Sequence, residues 1–285
     1  MIFHDPDMDW AKFRKEPRLV LYWYYHRLTG YWRGSPSFII IGVQKGGTTS
    51  LFNYLVQHPD VKQPFRKEIK YFDCNYTEGF SWYRANFPPK MKLRDGLITG
   101  EASPHYFPHP LAAERIAQKF PTIKLIVLLR NPVDRAYSHY QHMVRGGNET
   151  LSFEQAIEAE PARLEGEEER IIADVHYPLH NYMNYTYLTL GMYRKYFQHW
   201  FKVFPREQLL ILKSEDLYSH PSETYKETLN FLGLRAWEPE GFPIFNKQGQ
   251  YDTMYPATRK KLVEFFEPHN KQLYAFLGRD FGWDK

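Results

Sequence analysis

Ser37-Phe-Ile-Ile-Ile-Gly-Val-Gln-Lys-Gly-Gly-Thr-Thr-Ser-Leu51 decides how the rest of the chain is read. Its first half, Phe38 to Ile41, is an apolar run without polar alternation, the pattern of a strand buried on both faces. The run breaks at Gly42 and passes through Lys45-Gly46-Gly47, and a helical pattern resumes at Thr48. Strand, glycine-rich turn and helix N-terminus together aim backbone N–H groups at a phosphate. Gly42 and Gly47 have the Walker A spacing, yet Thr48 stands where that motif has its lysine, and Lys45 lies three residues earlier. The loop is therefore expected to hold a phosphate, but not the β/γ end of a nucleoside triphosphate.

The pattern extends outward from this unit. The helix opened by Thr48 carries Leu51, Phe52 and Leu55 on one face and stops before His58-Pro59. A second buried strand, Lys124-Leu-Ile-Val-Leu-Leu129, ends in Arg130-Asn-Pro132. There Asn131 suits an N-cap and Pro132 a first helical residue. Gln208-Leu-Leu-Ile-Leu212 is a third strand. Shorter strands are expected at Glu68-Ile-Lys-Tyr-Phe72, from its alternation, and at Leu97-Ile-Thr-Gly-Glu101. Helices are expected from Pro110, over Tyr187 to Phe204, and over Pro221 to Leu232 with Gly233 as terminator. Two more pieces, Pro256 to Phe266 and His269 to Leu277, end the chain. Ser152 and Gln155 have capping-box spacing, and Glu165-Gly-Glu-Glu-Glu169 is expected as a solvated face or mobile loop. Alternating strands and helices predict an α/β fold, a single domain over residues 36–285 with a central, mostly parallel sheet flanked by helices. Residues 1–35 precede it as an N-terminal extension, helical over Trp10 to Leu28.

Composition narrows the function. Of 285 residues 43% are apolar and 25% charged, as in ordinary globular proteins. A formal charge of +4 suits an anionic substrate or cofactor and argues against nucleic acid as partner, since no clustered basic stripe is present. Cys74 stands alone, which excludes an intrachain disulfide and a cysteine-based zinc cluster and favours a reducing, cytoplasmic setting. The sequence opens without the basic and apolar regions of a secretory leader, so the N-x-T triplets at Asn75, Asn148 and Asn184 read as chance matches. Leu19 to Tyr25 is far shorter than the roughly 20 residues of a membrane span. This stretch, within residues 19–28, is expected to dock on the body of the protein, with peripheral contact to a membrane surface as the alternative. The 22 Tyr, 21 Phe and 7 Trp serve packing for the most part, and some are candidates to line a groove for a sugar or base.

In a parallel α/β sheet, ligands bind beyond the carboxyl ends of the strands. Three clusters fall there: Lys45 to Ser50, Arg130 with Ser138, and Lys213-Ser-Glu-Asp216. Arg130 follows its strand directly and Ser138 lies under two turns into the next helix. A guanidinium fork and a hydroxyl are thus placed to hold a second phosphate at some distance from the first. Arg130 taken alone fits a salt bridge tying its loop equally well.

The segments Ile41-Gly-Val-Gln-Lys-Gly-Gly-Thr48, His58-Pro-Asp-Val61, Lys67-Glu-Ile-Lys-Tyr-Phe-Asp73, Gly79-Phe-Ser-Trp-Tyr83 and Gly100-Glu-Ala-Ser-Pro104 recur in one family, as do Leu128 to Ser138, Phe204-Pro205, Glu215-Asp-Leu217 and Gly278-Arg-Asp-Phe281. In order and spacing the chain resembles the sulfotransferases that use 3′-phosphoadenosine 5′-phosphosulfate (PAPS), within them the glycan branch that includes the heparan sulfate enzymes, in a bacterial-type soluble form. The resemblance covers nearly everything after residue 36. It implies that Lys45, Gly46, Gly47, Thr48, Thr49 and Ser50 bind the 5′-phosphosulfate and that Arg130 and Ser138 bind the 3′-phosphate. It further implies that Glu68 is the general base, that Lys247 and Gly249 belong to a late loop closing over the nucleotide, and that adenosine 3′,5′-bisphosphate is the product. Lys70, Trp82, Ser103 and His105 become candidates for acceptor contacts. Ala102 departs from the heparan-type pattern, in which a lysine commonly faces the acceptor, and the C-terminal cysteine pair of Golgi relatives is missing.

The chemistry agrees with this reading. Transfer of a sulfuryl group in line from a phosphate oxygen to a hydroxyl builds charge on both oxygens and needs a base for the hydroxyl proton. Glu68, among Arg66, Lys67 and Lys70, starts from a carboxyl pKa of about 4.3 and is ionised at neutral pH. Lys45 supplies the charge that neutralises the leaving phosphate, and no metal is expected because no β/γ pair exists. His105 and His139 are alternative bases. The expected acceptor is a carbohydrate hydroxyl. A lipid or polyketide hydroxyl with the same donor, a P-loop kinase or NTPase, and a nucleotide- or glycan-binding protein without turnover stay open, as does the oligomeric state.

Overall fold

The computed structural model describes residues 21, 24, 28–245 and 253–283. The apolar run that opens the domain forms β1 (Phe38–Gly42), with all five residues buried. It pairs on one side with β2 (Gly100–Ala102) and on the other with β3 (Lys124–Leu129), which in turn pairs with β4 (Leu209–Lys213). The order is β2-β1-β3-β4 and every pairing is parallel. Among the described residues from Thr48 onward the helices are α1 (Thr48–Leu55), α2 (Phe80–Ala85), α3 (Ala112–Lys119), α4 (Pro132–Arg145), α5 (Phe153–Leu164), α6 (Glu167–Ala173), α7 (His180–Asn184), α8 (Tyr193–Val203), α9 (Ser214–Ser219), α10 (Pro221–Leu232) and α11 (Pro256–Leu277).

Because successive strand residues point to opposite faces, one continuous apolar run feeds two cores. Ile39, Ile41, Leu125, Val127 and Ile211 pack with Ile116 of α3, Phe197 and Trp200 of α8 and Leu273 of α11. Phe38, Ile40, Ile126, Leu128 and Leu212 pack with Leu51 and Leu55 of α1 and Tyr225 and Leu229 of α10. Fully burying each such side chain contributes about 1.5–3 kcal/mol, so the sheet is held from both sides. The expected parallel α/β fold is present. The tail of the N-terminal extension is fastened to it: Gly34 N–H donates to Pro88 O at 2.8 Å, and Arg84 donates to Tyr31 O at 2.7 Å.

Several expectations are corrected. Glu68 to Phe72 is not a strand. The N–H groups of Lys70, Tyr71 and Phe72 donate to side-chain hydroxyls instead of a neighbouring strand, and Lys70 takes φ 53°. The strand expected from Leu97 begins at Gly100. The helix expected from Tyr187 starts at Tyr193, because buried Arg135 takes the carbonyls of Thr186 and Tyr187 and Glu160 takes the amides of Leu188 and Thr189. The last two pieces are one helix: Leu262, Phe266, Leu273 and Leu277 form a buried stripe that runs past Pro268 and overrides its missing N–H. Glu167, inside the acidic run, is buried in α6 and accepts from Arg170 at 3.1 Å and Tyr177 at 2.8 Å. Most of the helix expected over Trp10 to Leu28 lies outside the described residues. Leu21, Tyr24 and Leu28 are described and exposed.

Candidate active site

β1 leaves the sheet through a turn pressed against β3. Val43 N–H donates to Leu128 O at 3.0 Å, and Gly46 N–H donates to Val43 O at 2.9 Å. A Cβ on Gly46 would lie 2.5 Å from Leu128 O, so only glycine allows this approach. Lys45 (φ 70°) and Gly47 (φ 94°) are both left-handed, which costs the lysine backbone strain of a kind that clusters at functional sites. Gly47 is the N-cap of α1 and has no side chain to cap it. The first-turn amides, with the positive end of the helix dipole, therefore suit an anion.

The strand order reverses between β1 and β3, the place where open α/β sheets bind ligands. A cleft of about 650 Å³ opens there, lined by Lys45, Gly47, Thr48, Thr49, Ser50, Arg130, Asp134, Ser138, Ser214, Glu215, Tyr218, Ser219, Ile244 and Phe245. Arg130 crosses from β3 and donates to Lys45 O at 3.2 Å, while its own carbonyl accepts from Tyr193 at 2.7 Å. Asn131 caps α4 by accepting from Val133 N–H at 3.0 Å, which fixes the helix that presents Ser138. Ser50 Oγ accepts from Phe245 N–H at 3.3 Å and ties the opposite rim to the loop. Lys247 and Gly249, expected to close over the cleft two to four residues later, lie outside the described residues.

Charge in this region is organised around Lys45 and Glu68. Burial, together with Arg130 and Arg145, lowers the Lys45 amine to about 8, against an upward pull from Glu68. Lys67 Nζ donates both to Thr49 Oγ1 at 2.7 Å and to Glu68 Oε1 at 2.8 Å, which joins the carboxylate to the glycine-rich turn and first turn of α1. Burial works against ionisation of Glu68, but Lys67, Lys70 and His105 outweigh it and hold the carboxyl below its usual range. With 34% of its side chain exposed, Glu68 is ionised and reachable.

The remaining candidates separate. Lys70 follows Glu68 on the same loop, and half-buried His105 stands close enough to bias its charge. None of Glu68, Lys70, His105, Trp82 and Ser103 is among the residues that line the cleft. Trp82 is packed in the first core, and Ser103 is fully buried with its hydroxyl donating to Glu101. His139, the alternative base, is fully buried against Tyr187, and burial drives its pKa well below the usual range. The sequence does not single out Tyr218 and Phe245, which line the cleft from a later helix and a loop, or Arg145, whose charge at the end of α4 acts on Lys45. It also passes over Glu101, visible only as part of Gly100-Glu-Ala-Ser-Pro104, which accepts from Tyr83 and Ser103 at 2.8 Å each. No helix among the described residues is long and apolar enough to cross a membrane.

The family model described as "Sulfotransferase domain" matches residues 35–255. The membrane-associated sulfotransferase kil1 of Dictyostelium discoideum is 31% identical over 87% of this chain and 66% of its own length. Heparan sulfate glucosamine 3-O-sulfotransferase 3B1 of Mus musculus is 32% identical over 87% of this chain and 65% of its own. The chain thus spans just under two thirds of the length of these curated relatives. The crystal structure of a sulfotransferase from Alicyclobacillus acidocaldarius, 32% identical, matches with a TM-score of 0.66 over 88% of this chain and 100% of that one.

Proposed function

The chain belongs to the sulfotransferase domain family, and on that premise we propose that it transfers the sulfuryl group of PAPS to a hydroxyl of a carbohydrate, with Glu68 as general base. Residues 36–285 form the transferring domain in this reading. Lys45 and the loop through Ser50 receive the 5′-phosphosulfate, and Arg130 with Ser138 receives the 3′-phosphate. The acceptor oxygen bonds to sulfur as the bond from sulfur to the 5′-phosphate oxygen breaks. Glu68 takes the hydroxyl proton, and Lys45 faces the charge growing on the leaving phosphate. Adenosine 3′,5′-bisphosphate departs, and no step calls for a metal.

One observation carries the assignment: Lys67 bonds at once to Thr49 of the anion-binding loop and to Glu68, setting an ionised carboxylate beside the place where a donor's reactive end would lie. A carbohydrate acceptor is favoured by the relatives named for heparan sulfate glucosamine, and Ala102, expected to face the acceptor, is instead fully buried in the second core. The test is mass spectrometry of products from PAPS and a mixed panel of glycans and lipid alcohols, for the wild type and Glu68→Gln. A sulfated glycan is expected from the wild type only, with turnover of the variant down about 10²–10⁴-fold, the usual contribution of a positioned base, and bisphosphate binding intact. Full activity in the variant would remove Glu68 from the mechanism, and sulfation of lipid alcohols alone would move the acceptor.

A further inference from the structure

The Glu68 loop has no strand partner, yet one short segment holds it at four points. Ala102 N–H donates to Lys67 O at 3.3 Å. Ser103 Oγ accepts from Lys70 N–H at 3.1 Å, and Tyr106 Oη accepts from the N–H groups of Tyr71 at 2.8 Å and Phe72 at 3.3 Å. A hydroxyl that accepts must send its own proton elsewhere. Ser103 sends its proton to Glu101 at 2.8 Å, and Tyr106 reaches the same carboxyl at 3.4 Å. Tyr83 donates to its other oxygen at 2.8 Å. Glu101, Ser103, Tyr106 and Tyr83 are all fully buried. A buried carboxyl is expensive, and an apolar side chain of similar volume is commonly as stable or more so. Packing alone gives no reason for one here, whereas orienting two hydroxyls toward three loop amides does.

We propose that Glu101 is a positioning residue for the reaction: by orienting Ser103 and Tyr106 it fixes the loop that presents Glu68 to the acceptor. The inference rests on Glu68 being the base. Whether Glu101 is ionised or neutral, one oxygen is left to accept from Ser103, so glutamine, which keeps that acceptor, substitutes for it while leucine does not.

The experiment measures kcat together with the affinity for adenosine 3′,5′-bisphosphate in Glu101→Leu, Glu101→Gln, Ser103→Ala and Tyr106→Phe, each alone and on the Glu68→Gln background. Loss of orientation by about 1 Å is expected to lower kcat up to about 10²-fold in Glu101→Leu, Ser103→Ala and Tyr106→Phe. Bisphosphate affinity should stay within about twofold of wild type, Glu101→Gln should retain most activity, and no further loss should appear once Glu68 is gone. Should Glu101→Leu fail to fold, Ser103→Ala and Tyr106→Phe carry the test. Wild-type kcat in these two, nucleotide affinity falling in step with kcat, or losses that add on the Glu68→Gln background would each overturn the proposal. If Glu68→Gln abolishes turnover and the loop variants do not, this proposal alone falls. If Glu68→Gln is fully active, the base assignment falls and takes this one with it.

Discussion

The Lys45 amine should make nucleotide binding depend on pH in a window where little else in the cleft changes. Burial, Arg130 and Arg145 lower its pKa from 10.5 to about 8. A group of pKa about 8 is about nine-tenths charged at pH 7 and about one-tenth charged at pH 9. Phosphate groups with a second pKa near 6 are ionised across that range. His139 and His142 are both held below the ordinary histidine value, by burial first, and do not titrate there. A bound phosphate favours the ammonium and raises its pKa again, so above pH 8 binding must take up a proton. The sign follows: affinity for adenosine 3′,5′-bisphosphate falls as pH rises, by about tenfold between pH 7 and 9, or about 1.4 kcal/mol. Lys45→Met should lose this dependence. Its affinity at pH 7 should drop by up to about 10³-fold, since one unit charge 4 Å away at an effective dielectric of 20 is worth about 4 kcal/mol. Calorimetric titration in buffers of different ionisation enthalpy reads both the affinity and the proton uptake. A flat wild-type profile from pH 7 to 9, or a slope that survives in Lys45→Met, would refute the reasoning.

Arg130→Ala should weaken the bisphosphate by about 10–100-fold, the worth of hydrogen bonds to a charged group, while leaving adenosine 5′-phosphate within about twofold. Equal losses for both nucleotides, measured by the same titration, would place Arg130 away from the 3′-phosphate. Gly46→Ala puts a Cβ 2.5 Å from Leu128 O and 3.0 Å from Val43 O. Backbone atoms cannot turn aside as side chains do, so a loss of about 1–3 kcal/mol in denaturant unfolding is expected, with bisphosphate binding abolished. Wild-type stability and affinity in this variant would show that the turn is not pressed against β3.

The parts of the fold legible in the sequence are those whose cause is local or one-dimensional. β1, β3 and β4 are buried on both faces and so read as unbroken apolar runs. Asn131 with Pro132, Ser152 with Gln155, and Gly233 mark helix ends through their own backbone chemistry, and the structure has each in that role. The glycine-rich turn after β1 is legible for the same reason, since Gly46 answers a close approach and Gly47 a left-handed turn next to each other in sequence. What could not be read depends on distant partners. The alternation holds from Glu68 to Tyr71, with Ile69 and Tyr71 buried, and fails at Phe72, which is buried as well; the amides of this stretch find Ser103 and Tyr106 some 33 to 35 residues away. Ser103 therefore looked like an acceptor contact although its hydroxyl is committed inside. Glu167 looked solvated because nothing local announces Tyr177, and the start of α8 is set by Arg135 and Glu160 from other helices.

What the cleft between β1 and β3 binds separates a sulfuryl-transfer site from that of a nucleoside triphosphate enzyme. Calorimetric titration with adenosine 3′,5′-bisphosphate in the presence of a chelator, beside ATP with and without Mg²⁺, tests this directly. Stoichiometric bisphosphate binding that the chelator leaves unchanged, tighter than ATP under either condition, is the expected result. Mg²⁺-dependent binding of ATP with no measurable affinity for the bisphosphate would contradict it and make the site that of a nucleoside triphosphate enzyme.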